Sequence, residues 1–184
     1  MAMLPLHTTR LTLRRFTMAD LEPFMAYRND PDVARYQGWE SCSQTEAALL
    51  IAGQHGRDAG TPGDWFQIAF ALKDTDELVG DCGLEVHAPA GNQATVGFPL
   101  AAARQGKGYA TEALTCLFDH LFTQLKLHRV TADTDVLNTR SWRLMERLGM
   151  RREAHHIQNV WFKGRWADEY LYAILREEWL GRRT

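Results

Sequence analysis

The glycine-rich segment at residues 105–110, with the sequence QGKGYA, constrains the fold of this chain more than any other feature. It follows an alternating apolar run at 94–100 and precedes a run at 111–127 in which apolar residues recur every three or four positions. This spacing predicts a helix with one apolar face packed on a sheet. Because the first N–H groups of a helix lack intrahelical partners and carry a partial positive charge, we predict that the turn binds a phosphate group.

Three phosphate-binding motifs compete for this segment. A Walker A loop requires a glycine where Ala101 stands and a hydroxyl where Gly108 stands, so that interpretation fails at two positions. A dinucleotide-binding fingerprint fits both glycines of the segment but has Thr111 in place of its third glycine. The third motif, Q/R-x-x-G-x-G/A between a strand and a helix, is matched in full by Gln105, Gly108 and Ala110.

Composition limits the classes of protein that need to be considered. The chain has 184 residues, of which 45% are hydrophobic and 24% are charged, so we expect a single domain over 1–184 with its core at about 9–175. A formal net charge of -2 argues against a nucleic-acid partner. No apolar run reaches the ~20 residues of a membrane span, and the start lacks a signal pattern. Three cysteines without C-x-x-C spacing are typical of reduced thiols, so we expect a cytoplasmic protein.

The pattern along the chain predicts an α/β (α+β) fold, with a central mixed, mostly antiparallel sheet of about seven strands flanked by helices. The predicted strands lie at 9–16, 65–72, 78–86, 94–100, 128–135, 150–162 and 166–175. The predicted helices begin at Thr17, Asp32, Ser43, Thr111 and Asn138, and a loop is expected at 87–92. Because a helix separates the fourth and fifth strands, we predict that these two are parallel, whereas the last two form a hairpin.

This order of elements, with the glycine segment after the fourth strand, resembles the GCN5-related N-acetyltransferase (GNAT) superfamily from about 9 to 175. Three separate motifs resemble its RimJ/RimL-type ribosomal-protein branch: TRLTLR at 9–14, GYATEA at 108–113, and Asn138 with Ser141 leading to LGM at 148–150. The resemblance implies the GNAT acyl-CoA N-acyltransferase fold, in which the fourth and fifth strands splay apart. Unpaired backbone groups at 97–100 would then bind the pantetheine arm of coenzyme A.

The resemblance implies acetyl-CoA as cosubstrate. It places that molecule against Phe98, Leu100, Arg104, Gln105, Gly106, Lys107, Gly108, Tyr109, Ala110, Thr111, Asn138 and Ser141. Arg104 and Lys107 would neutralise phosphate charge, or would belong to a solvated loop. No metal is expected, because the histidines show no ligand spacing.

The catalytic residues follow from the resemblance less directly. Ser141 would donate a proton to the departing thiolate, because Met145 stands where many acetyltransferases carry a tyrosine. Thr95 stands where many relatives carry a glutamate base. Four carboxylates are alternatives for the base, of which Asp168 and Glu85 are preferred: Asp81, Glu85, Asp135 and Asp168. A water chain is a further alternative, and Asp168 also fits a structural carboxylate paired with an arginine.

The acceptor is expected to be a primary amine, either a protein N-terminal α-amine or a small molecule, that attacks directly in a ternary complex. Trp39 and Trp161 would bind it, although Trp39 also fits a core position. The departures at Thr95 and Met145 leave open a non-catalytic acyl-CoA-binding module, and the glycine turn alone leaves open a nucleotide-binding protein. The C-terminal hairpin would supply the edge of a homodimer.

Overall fold

The computed structural model describes residues 3–87 and 92–182, which build one mixed sheet. Its strands are β1 (Leu6–His7), β2 (Leu11–Arg14), β3 (Trp65–Leu72), β4 (Leu78–Val86), β5 (Gln93–Gly97), β6 (Arg129–Asp135), β7 (Arg151–Phe162) and β8 (Arg165–Leu175). They lie in the order β1-β2-β3-β4-β5-β6-β8-β7. Only the pair β5 and β6 is parallel among these described strands. The predicted mixed, mostly antiparallel sheet is confirmed, whereas the single-domain expectation stays a prediction.

The sheet has eight described strands where about seven were predicted. The additional strand β1 contributes two residues, which is too short to produce a readable alternation. The fourth predicted strand was expected to reach residue 100, but β5 ends at Gly97. The regular ladder stops before Pro99, which has no N–H to donate, and pairing with β4 resumes as a single bridge between Leu100 and Gly80. Most of the loop predicted at 87–92 lies outside the described residues, which omit 88–91.

Six α-helices flank the sheet within the described residues. They are α1 (Leu21–Arg28), α2 (Pro31–Ala34), α3 (Gln44–Gly53), α4 (Tyr109–Thr123), α5 (Thr139–Arg147) and α6 (Arg176–Gly181). The helix predicted to begin at Ser43 is α3, and a capping box fixes its start: Ser43 Oγ accepts from Glu46 N–H, and the Glu46 carboxylate accepts from Ser43 N–H at 2.8 Å. No helix among the described residues is long and apolar enough to cross a membrane.

The helices divide between the two faces of the sheet. Alternate residues of β3 show this, because Ile68 packs with α4 whereas Ala69 packs with α1 and α3. The apolar side of α4 is fully buried, as its spacing predicted. Its buried residues are Ala113, Leu114, Leu117, Phe118, Leu121 and Phe122. The main core therefore lies between α4 and the sheet, directly behind the glycine segment.

The parallel strands β5 and β6 pair over only three positions, from Gln93 opposite Arg129 to Thr95 opposite Thr131. Beyond this point β6 continues to Asp135 without a partner on that side, whereas β5 continues along β4. The predicted splay of these two strands is therefore confirmed. At the far side of the sheet β7 forms an outer edge, and a dimer through this hairpin stays a prediction.

Candidate active site

A cleft of about 1060 Å³ opens where β5 and β6 separate. Its volume lies at the upper end of the range usual for sites that bind small molecules and cofactors. Six parts of the chain line it: residues 96–100, the glycine segment with the first turn of α4, the end of β6, helix α5, residues 32–37, and the β7–β8 hairpin. The cleft therefore joins both faces of the sheet to the positive end of α4.

The glycine segment adopts a backbone that needs glycine at two positions. Gly106 has φ 74° and Gly108, the N-cap of α4, has φ 80°, both in the left-handed region. Glu112 N–H donates to Gly108 O at 3.0 Å, which is the first hydrogen bond of the helix. The preceding N–H groups of Tyr109, Ala110 and Thr111 have no partner in the part of the chain that the structure describes. These donors face the cleft and are suited to an anion.

A hydrogen-bonded brace holds the glycine segment from behind. Glu112, in the first turn of α4, accepts from Thr8 Oγ1 at 2.6 Å, from Arg10 N–H at 2.7 Å and from Arg10 Nε at 2.6 Å. Arg10 Nη1 then donates to Lys107 O at 3.0 Å, and its guanidinium lies over the Tyr109 ring. The first two sequence motifs, at 9–14 and 108–113, are thus in direct contact.

Glu112→Gln is expected to lower the free energy of unfolding at pH 7 by about 1 kcal/mol. Partial burial alone would raise the pKa of Glu112, but the hydrogen bonds from Thr8 and Arg10 outweigh it and hold that pKa below its usual value. A carboxyl with a lowered native pKa stabilises the fold above its unfolded pKa, and this contribution is lost as the pH falls below about 4.5. Urea denaturation at pH 7 and at a pH below 4 measures the free energy of unfolding of the wild type and the variant under both conditions.

The matched control for this prediction is Glu22→Gln, which changes an exposed glutamate on α1. It is expected to shift stability by less than about 0.5 kcal/mol at either pH. An equal loss for Glu112→Gln at both pH values would show that its charge does not stabilise the brace.

The two cations predicted to bind phosphate are not among the residues that line the cleft. Arg104 forms an ion pair with Glu77 and does not line the cleft, and Lys107 also lies outside the lining. Arg35, just after α2, lines the cleft, as do three arginines of α5: Arg140, Arg143 and Arg147. Sequence reasoning missed them, although their spacing of three and four places them on one side of a helix. The phosphate roles of Arg104 and Lys107 stay predictions.

The beginning of α5 brings Asn138 and Ser141 to the cleft beside the glycine segment. Asn138 is the N-cap, and its Oδ1 accepts from Ser141 N–H at 3.3 Å. Met145, one turn further along, is buried and also borders the cleft. Gln105 connects α5 to the loop, because it accepts from Arg140 Nη1 at 2.7 Å and donates to Leu100 O at 3.0 Å. Asn138 and Ser141 thus line the same cleft as the first helical turn of α4.

Ten of the twelve residues predicted to contact the cosubstrate line the cleft. They are Phe98, Leu100, Gln105, Gly106, Gly108, Tyr109, Ala110, Thr111, Asn138 and Ser141. The two that do not are the cations Arg104 and Lys107. The loop and α5 therefore converge as expected, and the individual binding roles stay predictions.

The preferred candidates for a general base lie outside the cleft. Glu85 is on β4 with its carboxylate 4.0 Å from His87 Nδ1, and Asp168 accepts from Gln158 N–H at 2.9 Å on the hairpin. Their catalytic roles stay predictions. Asp135 does line the cleft, but it accepts from Leu137 N–H at 2.8 Å and forms an ion pair with Arg165.

Two carboxylates that sequence reasoning did not consider also line the cleft, Asp133 on β6 and Glu169 on β8. Partial burial raises the pKa of Asp133, and the nearby Glu169 carboxylate raises it further. The register opposes Asp135 to Glu169 and Asp133 to Leu171, so both carboxylates lie on the same face of the sheet. Alternation on β6 would have shown that Asp133 shares a face with Asp135, but the opposing position on β8 depends on strand register.

The tryptophans predicted to bind the acceptor lie outside the cleft lining. Trp39 Nε1 donates to Arg28 O at 3.0 Å, and the Arg28 guanidinium stacks 4.0 Å from its ring. Trp161 is 61% exposed and packs edge-on against Trp166. Their substrate-binding roles stay predictions. The aromatic residues that do line the cleft outside the glycine segment are Tyr36, Phe98 and Phe162.

Comparisons with known proteins agree with this arrangement. Residues 10–151 match the acetyltransferase (GNAT) domain family. The uncharacterized N-acetyltransferase p20 of Bacillus licheniformis is 31% identical over 176 residues, which cover 96% of this chain and 98% of that protein. The crystal structure of a GNAT-family acetyltransferase from Bacillus anthracis has a TM-score of 0.84 and 30% identity, and the match covers 95% of this chain and 100% of that one.

Further relatives have named acceptors or a bound ligand. The spermidine N(1)-acetyltransferase of Vibrio cholerae is 25% identical over 95% of this chain and 98% of its own length. The ribosomal protein uS5-alanine N-acetyltransferase of Escherichia coli is 31% identical, over 46% of this chain and 43% of its own. Mycobacterium smegmatis RimJ, solved in complex with CoA-disulfide, has a TM-score of 0.80 and 26% identity over 95% of this chain and 87% of that one. The family match and these relatives show that the chain belongs to the GNAT family of acetyltransferases and is an N-acetyltransferase.

Proposed function

We propose that this N-acetyltransferase transfers the acetyl group of acetyl-CoA to a primary amine by direct attack in a ternary complex. The observation that carries the proposal is that the positive end of α4, the split between β5 and β6, and the Ser141 side chain all open into one cleft. Acetyl-CoA has phosphates at one end, a thioester at the other and an amide-bearing arm between them. Its groups therefore match these three features in order, and when bound it supplies the activated acyl group.

The glycine segment would hold the pyrophosphate. The N–H groups of Tyr109, Ala110 and Thr111 are directed at the cleft, and the dipole of α4 favours negative charge there. A Cβ built at Gly106 would meet no heavy atom within 4 Å, so the space in front of this residue is free for phosphate oxygens. The residues present thus fit the phosphate end of the cosubstrate.

The split strands would hold the pantetheine arm. Between Ala132 and Asp135, β6 has lost its partner β5 and keeps only its antiparallel partner β8. Unpaired backbone groups at the wall of a cleft need hydrogen-bond partners, and the amides of an extended arm can provide them. The arm would therefore occupy the gap in the manner of an added strand.

Ser141 would donate the proton that the departing thiolate needs. We predict that Ser141→Ala lowers kcat by about 10- to 100-fold, because water must then replace a positioned donor. The KM for acetyl-CoA should change by less than about threefold, since the hydroxyl is one contact among many. Steady-state assays of CoA release measure both constants.

Ser141→Thr is the matched variant, because it retains a hydroxyl at the same position. It should keep most of the activity that Ser141→Ala loses. Full activity in Ser141→Ala, with CoA binding intact, would exclude the hydroxyl as the proton donor.

The attacking amine must lose a proton, and we infer that carboxylates of the cleft serve this step better than Glu85 or Asp168. Asp133 and Glu169 line the cleft, whereas the other two do not. A raised pKa brings the Asp133 carboxyl closer to the working pH, which suits a general base. The nearby Glu169 carboxylate, held by Asn159 Nδ2 at 2.7 Å, would favour a cationic amine at the same place.

The acceptor class is the remaining part of the proposal. By their names, these relatives act on spermidine at N(1) and on an alanine of ribosomal protein uS5, and the amine that each name indicates fits a primary-amine acceptor. Acetyl-CoA consumption should be measured with spermidine and with short peptides that begin with alanine or serine. Turnover with at least one of these supports the proposal. Tight CoA binding without turnover of any amine would favour the non-catalytic acyl-CoA-binding module.

We also propose a cytoplasmic location for this chemistry. Its support is that Cys42, Cys82 and Cys116 are all free thiols, as a reducing compartment would keep them.

A further inference from the structure

Helix α5 directs a row of arginines along the cleft. Arg140, Arg143 and Arg147 are spaced by three and four residues, line the cleft together, and are all exposed. At 1.5 Å per residue the row extends over roughly 10 Å of helix. The carboxylate of α5, Glu146, does not line the cleft and instead accepts from Tyr172 Oη at 3.0 Å. The charged residues on this side of α5 are therefore all cationic.

No member of the row has a carboxylate partner among the described residues, and Arg140 bonds instead to the Gln105 amide. Neither Arg143 nor Arg147 forms an ion pair with any residue that the structure describes. Other arginines of the chain are neutralised, for example Arg104 by Glu77 and Arg129 by Glu153. Like charges four residues apart destabilise a helix, so this pair is unfavourable until an anion binds.

The row begins at the phosphate-binding segment and leads away from it. Arg140 is fixed to that segment, because its Nη1 donates to Gln105 Oε1 at 2.7 Å. Arg143 follows one turn later and Arg147 one turn after that. Arg147 also borders a second cavity of about 180 Å³, together with Thr115, Trp179 and Arg182. Positive charge therefore continues beyond the cleft, from the glycine segment to a second cavity that α4, α5 and α6 border.

Coenzyme A carries a third phosphate besides its pyrophosphate. Its 3′-phosphate is one ribose away from the pyrophosphate and is a phosphomonoester, so it carries nearly two negative charges at neutral pH. The planar guanidinium group of arginine donates two parallel hydrogen bonds to a phosphate, which a backbone N–H cannot do.

We propose that Arg143 and Arg147 bind the 3′-phosphate of CoA and so select CoA over its 3′-dephospho form. The inference rests on the proposed function, because it takes the pyrophosphate to lie at the glycine segment. Arg140 has a positioning role in this scheme, since it fixes Gln105 at the point where the row begins.

The test is calorimetric titration of the full chain with CoA and with 3′-dephospho-CoA. The wild-type protein is expected to bind CoA about 10- to 100-fold more tightly, as one or two charge-assisted contacts would give. In Arg143→Gln/Arg147→Gln the affinity for CoA should fall to nearly that for 3′-dephospho-CoA, whose own affinity should change by less than about twofold. The ratio of the affinities for CoA and 3′-dephospho-CoA should also decrease as salt is added, because exposed charges are screened.

Arg57→Gln is the matched control, since it removes a surface arginine that pairs with Asp64 and does not line the cleft. It should leave both affinities unchanged. Equal wild-type affinities for the two compounds would overturn the inference, as would an equal weakening of both in the double variant. Binding of neither compound would overturn the proposed function as well. Selective CoA binding without acetylation of any amine would instead contradict only the catalytic part of that function.

Discussion

Replacing Gly108 with aspartate should lower the affinity for CoA about a thousandfold, which corresponds to about 4 kcal/mol. Gly108 is the N-cap of α4, has φ 80° and lines the cleft. A side chain at this φ costs about 1–2 kcal/mol of backbone strain. Because that strain is present with and without CoA, it lowers stability and not affinity. The loss of affinity comes from a carboxylate at the proposed pyrophosphate position, which repels the phosphate charge and takes up the N–H donors. Calorimetric titration with CoA measures the loss.

Gly164→Asp distinguishes the effect of backbone strain from the effect of a carboxylate in the cleft. Gly164 has φ 79°, lies in the turn between β7 and β8, and does not line the cleft, so the substitution there produces comparable strain without a carboxylate in the site. Both variants should lose similar thermal stability, but only Gly108→Asp should lose CoA binding. Retention of near wild-type affinity by a folded Gly108→Asp protein would remove the pyrophosphate from this turn.

Asp81→Ala should lower the free energy of unfolding by about 3–5 kcal/mol, the largest effect that we expect on stability. Asp81 is fully buried on β4, where it accepts from Tyr27 Oη and lies 3.6 Å from Arg28 Nη2. Arg28 is itself buried between the rings of Phe24 and Trp39. Removal of the carboxylate leaves a buried cation and a buried hydroxyl without their acceptor, and both are costly to keep out of water.

Urea denaturation measures this loss, and the surface variant Asp64→Ala provides the comparison. Asp64 pairs with Arg57 at 3.0 Å but is mostly exposed, so its loss should cost less than about 0.5 kcal/mol. A similarly small effect for Asp81→Ala would mean that water reaches Arg28 in the folded protein. Tyr27→Phe, which removes one hydrogen bond and retains both charges, should fall between the two.

Local patterns predicted the elements whose sequence has a clear period. The strands β3 and β4 lie at the predicted residues, because alternation and turn residues define both of their ends. The short strand β1 was missed because two residues carry no period. The helix α6 was missed as well, because its six residues follow β8 without an intervening turn.

The site was predictable where its residues are close in sequence and not where they are distant. The motif around Gly108 identified the turn that α4 begins with, because glycine, strand and helix are adjacent in the chain. The arginines of α5 were not predicted, because the glycine motif indicates only the cations next to it in sequence, Arg104 and Lys107. The structure instead brings Arg140 to Gln105 across 35 positions. Such a contact depends on how α5 packs, which no local pattern reports.

The brace around Glu112 has a consequence for protein synthesis. Thr8 and Arg10 precede their shared partner by 104 and 102 residues. At about 5–20 residues per second, a ribosome makes the first two residues roughly 5–20 s before the third. During this interval the start of the chain lacks the hydrogen bonds that secure it, so a chaperone or a protease in the cell would encounter it exposed. The glycine segment can acquire its final support only after both parts of the chain have left the ribosome.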